Sequence, residues 1–482
     1  MKKLATLEVD IGISTIHAVI VALDDGTLLA EQEAEYTWDV LENNRGEIDP
    51  NKIWESSQDA VAGVLYKIDL SRVHLKTLAF SCFGDCFVAV DNDGNPVYPM
   101  LEFSDLRADG LEKEINHLIK GKPYNQITGG PLAPNYVVTK IYWMKKNIPA
   151  LYEKTKYFYN IQQFILKKLG LPPFTDYSMA ARKMLFDVKE HQWSVELCNI
   201  LEKDPICFGE TAPPATIVGK ISKFGRVTLP YELQVVLGAH DAQCGFMGLG
   251  VKENSEDGVI IANNAGTYNL FGTLSSRSLV FDSTLITPGC GPSLKSFHYQ
   301  AGEMIGPTIN WFVNKVAKSN LTELFQSAHF DGTCHVRMLK DPITGSGIFG
   351  GVSVLDDVSD LFTGFIESLT FHMKEWLQAM NKAFLGQEKF QCVRIGAGGA
   401  KSLPWIQLKA DVMGIPFERV ENLQTSSVGL AMISAVATGE YPDYDTASDN
   451  MVRVNCVIDP DQERNARYQE AYEAFLNHLS FL

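Results

Sequence analysis

The sequence predicts an α/β protein of two related domains, and three observations carry that expectation. A strand running into a tight glycine turn occurs twice, as Leu7-Glu8-Val9-Asp10-Ile11-Gly12-Ile13-Ser14-Thr15 and as Val259-Ile260-Ile261-Ala262-Asn263-Asn264-Ala265-Gly266-Thr267. Asp10 and Asn264 are 254 positions apart, and so are Gly12 and Gly266. Each half reads as strands first and helices after, and 482 residues exceed what a single core usually holds.

In chain order, Lys3 to Asp10, Ile16 to Leu23 and Leu28 to Glu35 read as strands, with Asp24-Asp25-Gly26 turning after the second. A helix is expected from Asp49 to Val64, because Pro50 suits a first turn and Ile53, Trp54, Ala60, Val61 and Val64 share a face. A strand from Thr77 to Phe80, a turn at Gly84 and a hairpin around Asp91-Asn92-Asp93-Gly94-Asn95 follow. From Gly110 to about Phe208 the chain is more helical and richer in Lys, Tyr and Pro, as an insertion on the α/β framework. Pro213-Pro214 opens a linker-like segment to about Val227, ahead of a buried strand from Leu233 to Leu237. The pattern restarts after Gly248-Leu249-Gly250, which places a boundary near residues 245 to 256 and gives domains 1–248 and 249–482. The second half supplies a long helix from Ser359 to Phe384, a strand from Cys392 to Ile395, and helices from Leu403 to Met413 and Ser426 to Thr438. Duplication of one unit is the simplest account.

Charge excludes some functions. The net charge is −16, from 42 Lys+Arg against 58 Asp+Glu, without the basic stripe that nucleic-acid binding needs. No apolar run reaches the roughly 18–20 residues that span a bilayer. Glu8 and Asp10 interrupt the early apolar run, so no signal peptide is expected and a cytoplasmic location is. The nine cysteines contain no CxxC pair, and Cys82 and Cys86 read as reduced core thiols.

Four glycine-containing clusters carry chemistry. The two turns, at Gly12-Ile13-Ser14-Thr15 and Gly266-Thr267, can aim backbone N–H groups and hydroxyls at phosphate oxygens, though ordinary β-hairpins explain them equally well. A protein this acidic needs local neutralisation of a polyphosphate, for which Mg²⁺ on one or two carboxylates is the usual device. Ile395-Gly396-Ala397-Gly398-Gly399-Ala400-Lys401-Ser402, between strand and helix, is neither GxGxxG nor a Walker loop, but suits a nucleotide packed on bare backbone or a plain helix start. In Gly238-Ala239-His240-Asp241-Ala242-Gln243-Cys244-Gly245, Asp241 stands where a helix N-cap falls or where a carboxylate accepts the proton of an attacking hydroxyl. The neighbouring His240 reads as structural. Asp105 and Arg107, in a loop after a strand, offer the acceptor and donors a polyol needs, or form a surface ion pair.

With these clusters in order, the chain resembles the FGGY carbohydrate kinases from nearly end to end. The most specific segment is Gly398-Gly399-Ala400-Lys401-Ser402-Leu403-Pro404-Trp405-Ile406-Gln407-Leu408-Lys409-Ala410-Asp411, followed by Gly414-Ile415-Pro416 and Ser427-Val428-Gly429-Leu430-Ala431. Ile127-Thr128-Gly129, Lys140-Ile141-Tyr142-Trp143, Asn147-Ile148-Pro149 and Asp176-Tyr177-Ser178-Met179-Ala180 are similar to landmarks of the family's first half. The resemblance implies the two-domain actin-like ATPase (ribonuclease H-like) fold with duplicated βββαβα units. It implies transfer of the γ-phosphoryl of ATP to a sugar or polyol hydroxyl. Asp241 would be the general base, and Asp10 would hold Mg²⁺ through water. Gly12, Ser14, Thr15, Gly266 and Thr267 would meet the phosphates, and Gly398, Gly399 and Ala400 the adenosine side. Phe83, Asp105, Arg107 and Asp241 would contact the sugar.

The chain departs from the family pattern at several positions. Ile13 stands in a run usually of Ser/Thr, His17 where Arg or Lys is usual, Asn264 where Ser is usual, Thr363 where Arg is common and Ser368 where glycine follows Glu. These changes keep a second reading open, a sugar-sensing pseudokinase, beside a third, an actin-like ATPase with a protein partner. Phe83-Gly84 is similar to the loop of fuculose and rhamnulose kinases, with the following acid one position early, which favours a ketose of five or six carbons over glycerol. The helical insertion and the tail from Asp443 to Leu482 are expected to offer surfaces for a homodimer.

Overall fold

Two apolar hairpins organise the protein, each feeding strands that continue on one side as a parallel ladder. They were traced in a computed structural model that describes residues 2–41, 45–253, 258–279, 281, 285–340, 347–386 and 389–479. Residues 254–256 of the expected boundary and 480–482 of the tail lie outside the described residues. The chain divides into two compact units, Met1–Glu253 with Leu274–Tyr299 and Gln424–Val452, and Asn254–Thr273 with Gln300–Leu423 and Arg453–Leu482.

In the first unit, Lys3–Ile11, Thr15–Ala22 and Leu28–Glu35 form an antiparallel meander. Val73–Cys82 joins Lys3–Ile11 in parallel, and Val227–His240 then joins Val73–Cys82 in parallel. Ala5, Leu7, Val9 and Ile11 are fully buried and share one face of their strand, as a period of two requires. The helix Pro50–Lys67 is capped by Asp49, whose carboxylate accepts from Asn51 N–H, and it buries Ile53, Ala60, Val61 and Val64.

The second unit repeats the order. Phe297–Met304, Tyr268–Ser275, Val259–Ala265, Phe390–Gly396, Phe417–Val420 and Val454–Ile458 are neighbours in that sequence. Val259–Ala265 pairs antiparallel with Tyr268–Ser275 and parallel with Phe390–Gly396. The helices Val358–Ala383 and Leu403–Met413 belong to this unit. Ser368, at a position where the family pattern has glycine, accepts from Met338 N–H and donates to the Gly364 carbonyl, so its hydroxyl is absorbed by backbone.

Two sequence expectations change, and a third gains detail. The segment after Pro213-Pro214 is no linker: Ile217–Phe224 is a strand paired with a fourteen-residue strand, Val227–His240, of which Leu233 to Leu237 is only the buried middle. Asp91 to Asn95 is a turn closed by a single bridge between Val90 and Pro96, while Val88–Val90 pairs with the distant Tyr157–Tyr159. The helical stretch from Gly110 resolves into short helices, the longest being Val137–Asn147.

Candidate active site

In the first unit the parallel pairing of Lys3–Ile11 with Val73–Cys82 sets Asp10 beside Ser81, whose hydroxyl donates to its carboxylate at 2.5 Å. The antiparallel partner of Asp10 is His17, which contacts Glu33 at 3.4 Å. Burial pushes the Asp10 carboxyl above its usual range, against the Ser81 hydrogen bond and the His17 charge. The turn beyond it is internally braced: Gly12 N–H donates to the Thr15 carbonyl, and the Tyr36 hydroxyl donates to the Gly12 carbonyl at 2.6 Å. Ser14 at the tip is exposed.

Asp241 is the first residue of the helix Asp241–Gly248, and the cap position belongs to His240, which makes no side-chain cap bond. The capping account of Asp241 is therefore set aside. Its Oδ1 accepts from Ala242 N–H, and its side chain keeps 29% of its surface exposed. Burial pushes its pKa up to about 8, with the Asp10 charge adding and Ala242 N–H and Arg182 opposing. That is high for a carboxylate and well matched to proton acceptance near neutral pH.

His240 is buried next to Asp241. Its Nε2 lies 3.2 Å from Asp241 Oδ1, while burial, Arg182 and His298 hold its pKa well below the usual value. The ring is neutral, so this close approach is not an ion pair. Gly84 permits this packing, since a Cβ there would sit 2.7 Å from His240 Nε2. The following residue, Asp85, forms a buried ion pair with Arg182. Among the described residues, Asp85 Oδ1, Arg182 Nε, His240 Nδ1 and both amide atoms of Gln243 have no hydrogen-bond partner. Buried polar atoms are ordinarily hydrogen-bonded, which marks these groups as candidates for contact with a polar ligand. Sequence reasoning named none of Ser81, Arg182 and Gln243 as site residues, and noted Asp85 only as the acid one position early after Phe83-Gly84. Arg182 sits two positions after the Asp176-to-Ala180 segment, which was the available signal.

Other expected residues are placed differently. Asp105 and Arg107 are no surface pair: both side chains are buried, with Arg107 bridging Asp105, Glu47 and the Tyr98 hydroxyl and lying over Trp143. Asp105 also accepts from Gly46 N–H, so the donors and acceptors of this pair are committed to the protein itself. Phe83 is buried in the first unit's core, with its N–H on the Ile11 carbonyl.

In the second unit the parallel register sets Asn264 beside Gly396, so the Gly266-Thr267 turn and the Gly398-Gly399-Ala400 loop leave adjacent strands side by side. A Cβ on Gly399 would approach Ala265 Cβ to 2.6 Å. Thr267 is tied down by Gly306 N–H on its carbonyl. Ala397 enters the loop at φ 59°, ψ −162°, a region other residues leave to glycine. Behind the turn, the fully buried Lys409 donates to Asn263. Among the described residues, no cluster of His, Cys, Asp and Glu forms a metal site by itself, and no helix is long and apolar enough to cross a membrane.

A repeated three-strand meander extended by parallel strands, with a glycine turn in each copy, is the frame of the two-domain actin-like ATPases. Residues 5–248 match the N-terminal domain of the FGGY family of carbohydrate kinases, and residues 317–438 match its C-terminal domain. The chain belongs to that family and is an ATP-dependent carbohydrate kinase. It is 24% identical to a xylulose kinase of Staphylococcus epidermidis over 98% of this chain and 96% of that protein. It is 23% identical to an L-fuculokinase of Escherichia coli over 92% of this chain and 94% of that one. Its fold superposes on the ligand-bound xylulose kinase of Lactobacillus acidophilus with a TM-score of 0.86 at 17% identity, covering 100% and 98% of the two chains. Glycerol kinase of Plasmodium falciparum with ADP gives 0.83 at 16% identity, covering 99% and 98%.

Proposed function

We propose that the protein phosphorylates a hydroxyl of a neutral ketose or polyol of five or six carbons, with Asp241 as general base. The observation that carries this is the partly exposed Asp241 carboxylate, beside His240, in the unit that holds the unpaired atoms of Asp85, Arg182 and Gln243. A polyhydroxylated substrate supplies both donors and acceptors to such a set. Asp10, Asp85 and Asp241 outnumber the single guanidinium of Arg182, which Asp85 already engages, so an acidic sugar is disfavoured. The similarity to xylulose kinases and L-fuculokinases agrees with a ketose.

In this mechanism Asp241 takes the proton of the attacking hydroxyl as its oxygen bonds to the γ-phosphorus of ATP, and the bridging oxygen leaves with ADP. Gly12, Ser14, Thr15, Gly266 and Thr267 orient the phosphates, and Gly398, Gly399 and Ala400 carry the adenosine side. Asp10 fits a magnesium role, being a carboxylate at a strand end with one hydroxyl donor and a neighbouring acid charge. Magnesium bound there would supply charge neutralisation on the phosphoryl oxygens. Asp105 and Arg107 act, in this reading, by bracing the wall behind the sugar. We further propose division of the duplicated sequence at 248/249, a homodimer, and a cytoplasmic location.

The test is ADP release from MgATP against a panel of ketoses, polyols, aldonic acids and glycerol. Turnover confined to one or two neutral ketoses or polyols is expected. Silence on every sugar, or ADP release without sugar, would overturn the reading.

A further inference from the structure

Lys409 lies on the helix Leu403–Met413 with none of its surface exposed. Its Nζ donates to Asn263 Oδ1 at 2.8 Å and stands 4.2 Å from the centre of the Trp405 ring, and it forms no ion pair among the described residues. Asn263 passes the contact on, its amide donating to Asn269 Oδ1 at 2.7 Å and to the Leu270 carbonyl at 3.2 Å. Asn263 and Asn269 lie on the two strands that flank the Ala265-to-Tyr268 turn, so this chain of side chains cross-links the hairpin at its base. Burial alone pulls the ammonium down to about 7.

A buried cation without a carboxylate is expensive, and a methionine of similar length would fill the space at less cost. A strand advances about 3.3 Å per residue, which puts Asn263, the partner of Lys409, within roughly 10 Å of Gly266 along the hairpin. An anion held at the turn would favour the protonated form of such a lysine.

We propose that Lys409 is a positioning residue for the nucleotide phosphates, clamping the base of the Gly266-Thr267 hairpin through Asn263 and Asn269. The proposal rests on the reading of that turn as a phosphate loop. Lys409→Met in the full chain tests it, by calorimetric affinity for magnesium adenylyl imidodiphosphate, by KM and kcat on the sugar found in the panel, and by thermal melting without nucleotide. The expected result is at least tenfold weaker nucleotide binding with a sugar KM within twofold of the parent. A purely structural lysine would instead leave nucleotide affinity within twofold whether or not the melting temperature falls, and that outcome overturns the proposal. Lys409→Gln is the second variant, and failure of both to fold likewise assigns the lysine to folding and overturns it. Gly266→Val separates the two ideas: if it abolishes nucleotide binding while Lys409→Met does not, the phosphate turn stands and the role of Lys409 falls.

Discussion

Asp10 and Asn264 occupy the same place in two copies of one hairpin, yet their surroundings have diverged in opposite directions. Asp10 has Ser81 on its parallel side and His17 on its antiparallel side, whereas Asn264 has Gly396 and Leu270. Behind the first turn lies Glu8, buried against Thr6 and Ser434, with burial pushing its carboxyl up to about 8. Behind the second lies Lys409, met by Asn263 at the position where the first copy has the apolar Val9. One scaffold thus carries acid in one unit and a buried base in the other. The contrast accords with the division proposed above, between handling a proton and a cation in one unit and phosphate in the other.

The severest way to break that contrast is to remove the base. Asp241→Asn should lower kcat by about 10²–10⁴-fold, the usual share of general base catalysis, while leaving binding of the nonhydrolysable analogue intact. A variant turning over at the parental rate removes Asp241 from the mechanism. In the parent, kcat/KM should fall about tenfold per pH unit below a limb near pH 8, because the protonated carboxyl cannot accept a proton.

The next largest effect is expected from Asp10→Asn, which gives the first turn the residue type of the second. Losing a metal-directed carboxylate should reduce kcat/KM on the order of 10²-fold and raise the magnesium needed for half-maximal rate. Because the Asp10 charge raises the Asp241 pKa, the acid limb should also move to lower pH. A pH–rate profile that keeps its limb in place would show that the two acids are independent.

The smallest effect sharpens the second unit. Ala397→Gly relieves a backbone conformation costing about 1–3 kcal/mol, less about 0.5–1 kcal/mol for glycine's entropy, so urea unfolding should show a net gain on the order of 1 kcal/mol. Unchanged or lower stability would mean that the loop holds this geometry without strain.

Local patterns carried much of the fold in the sequence. The strand Leu28–Glu35 and the helix Leu403–Met413 fall where alternation, Pro404 and the glycine at 414 place them. The strand Ile217–Phe224 was hidden because its outward residues, Lys220, Ser222 and Lys223, give a polar edge after two prolines. Tyr157–Tyr159 as partner of Val88–Val90 joins segments far apart in sequence, which local signals cannot announce.

For the site, glycine turns and Asp241 stood out because bare backbone and a carboxylate after a buried strand are local patterns. The pairings Asp10 with Ser81, Asp85 with Arg182 and Lys409 with Asn263 span 71, 97 and 146 residues and emerge only when the strands and helices are in register. Asp105 and Arg107 looked available for a sugar because sequence shows which groups can bond, but not which bonds Gly46, Glu47 and Tyr98 have already taken.

The helix Asp241–Gly248 meets the helix Thr425–Ala437 so closely that a Cβ on Gly429 would fall 1.9 Å from the Cys244 carbonyl oxygen, and one on Gly248 1.8 Å from that of Thr425. The aim of Asp241, the proposed proton acceptor, is therefore set by two hydrogen atoms that leave room for a neighbouring main chain. A single methyl at either place would tilt the helix and swing its first residue away, spoiling the chemistry while leaving every reactive side chain present.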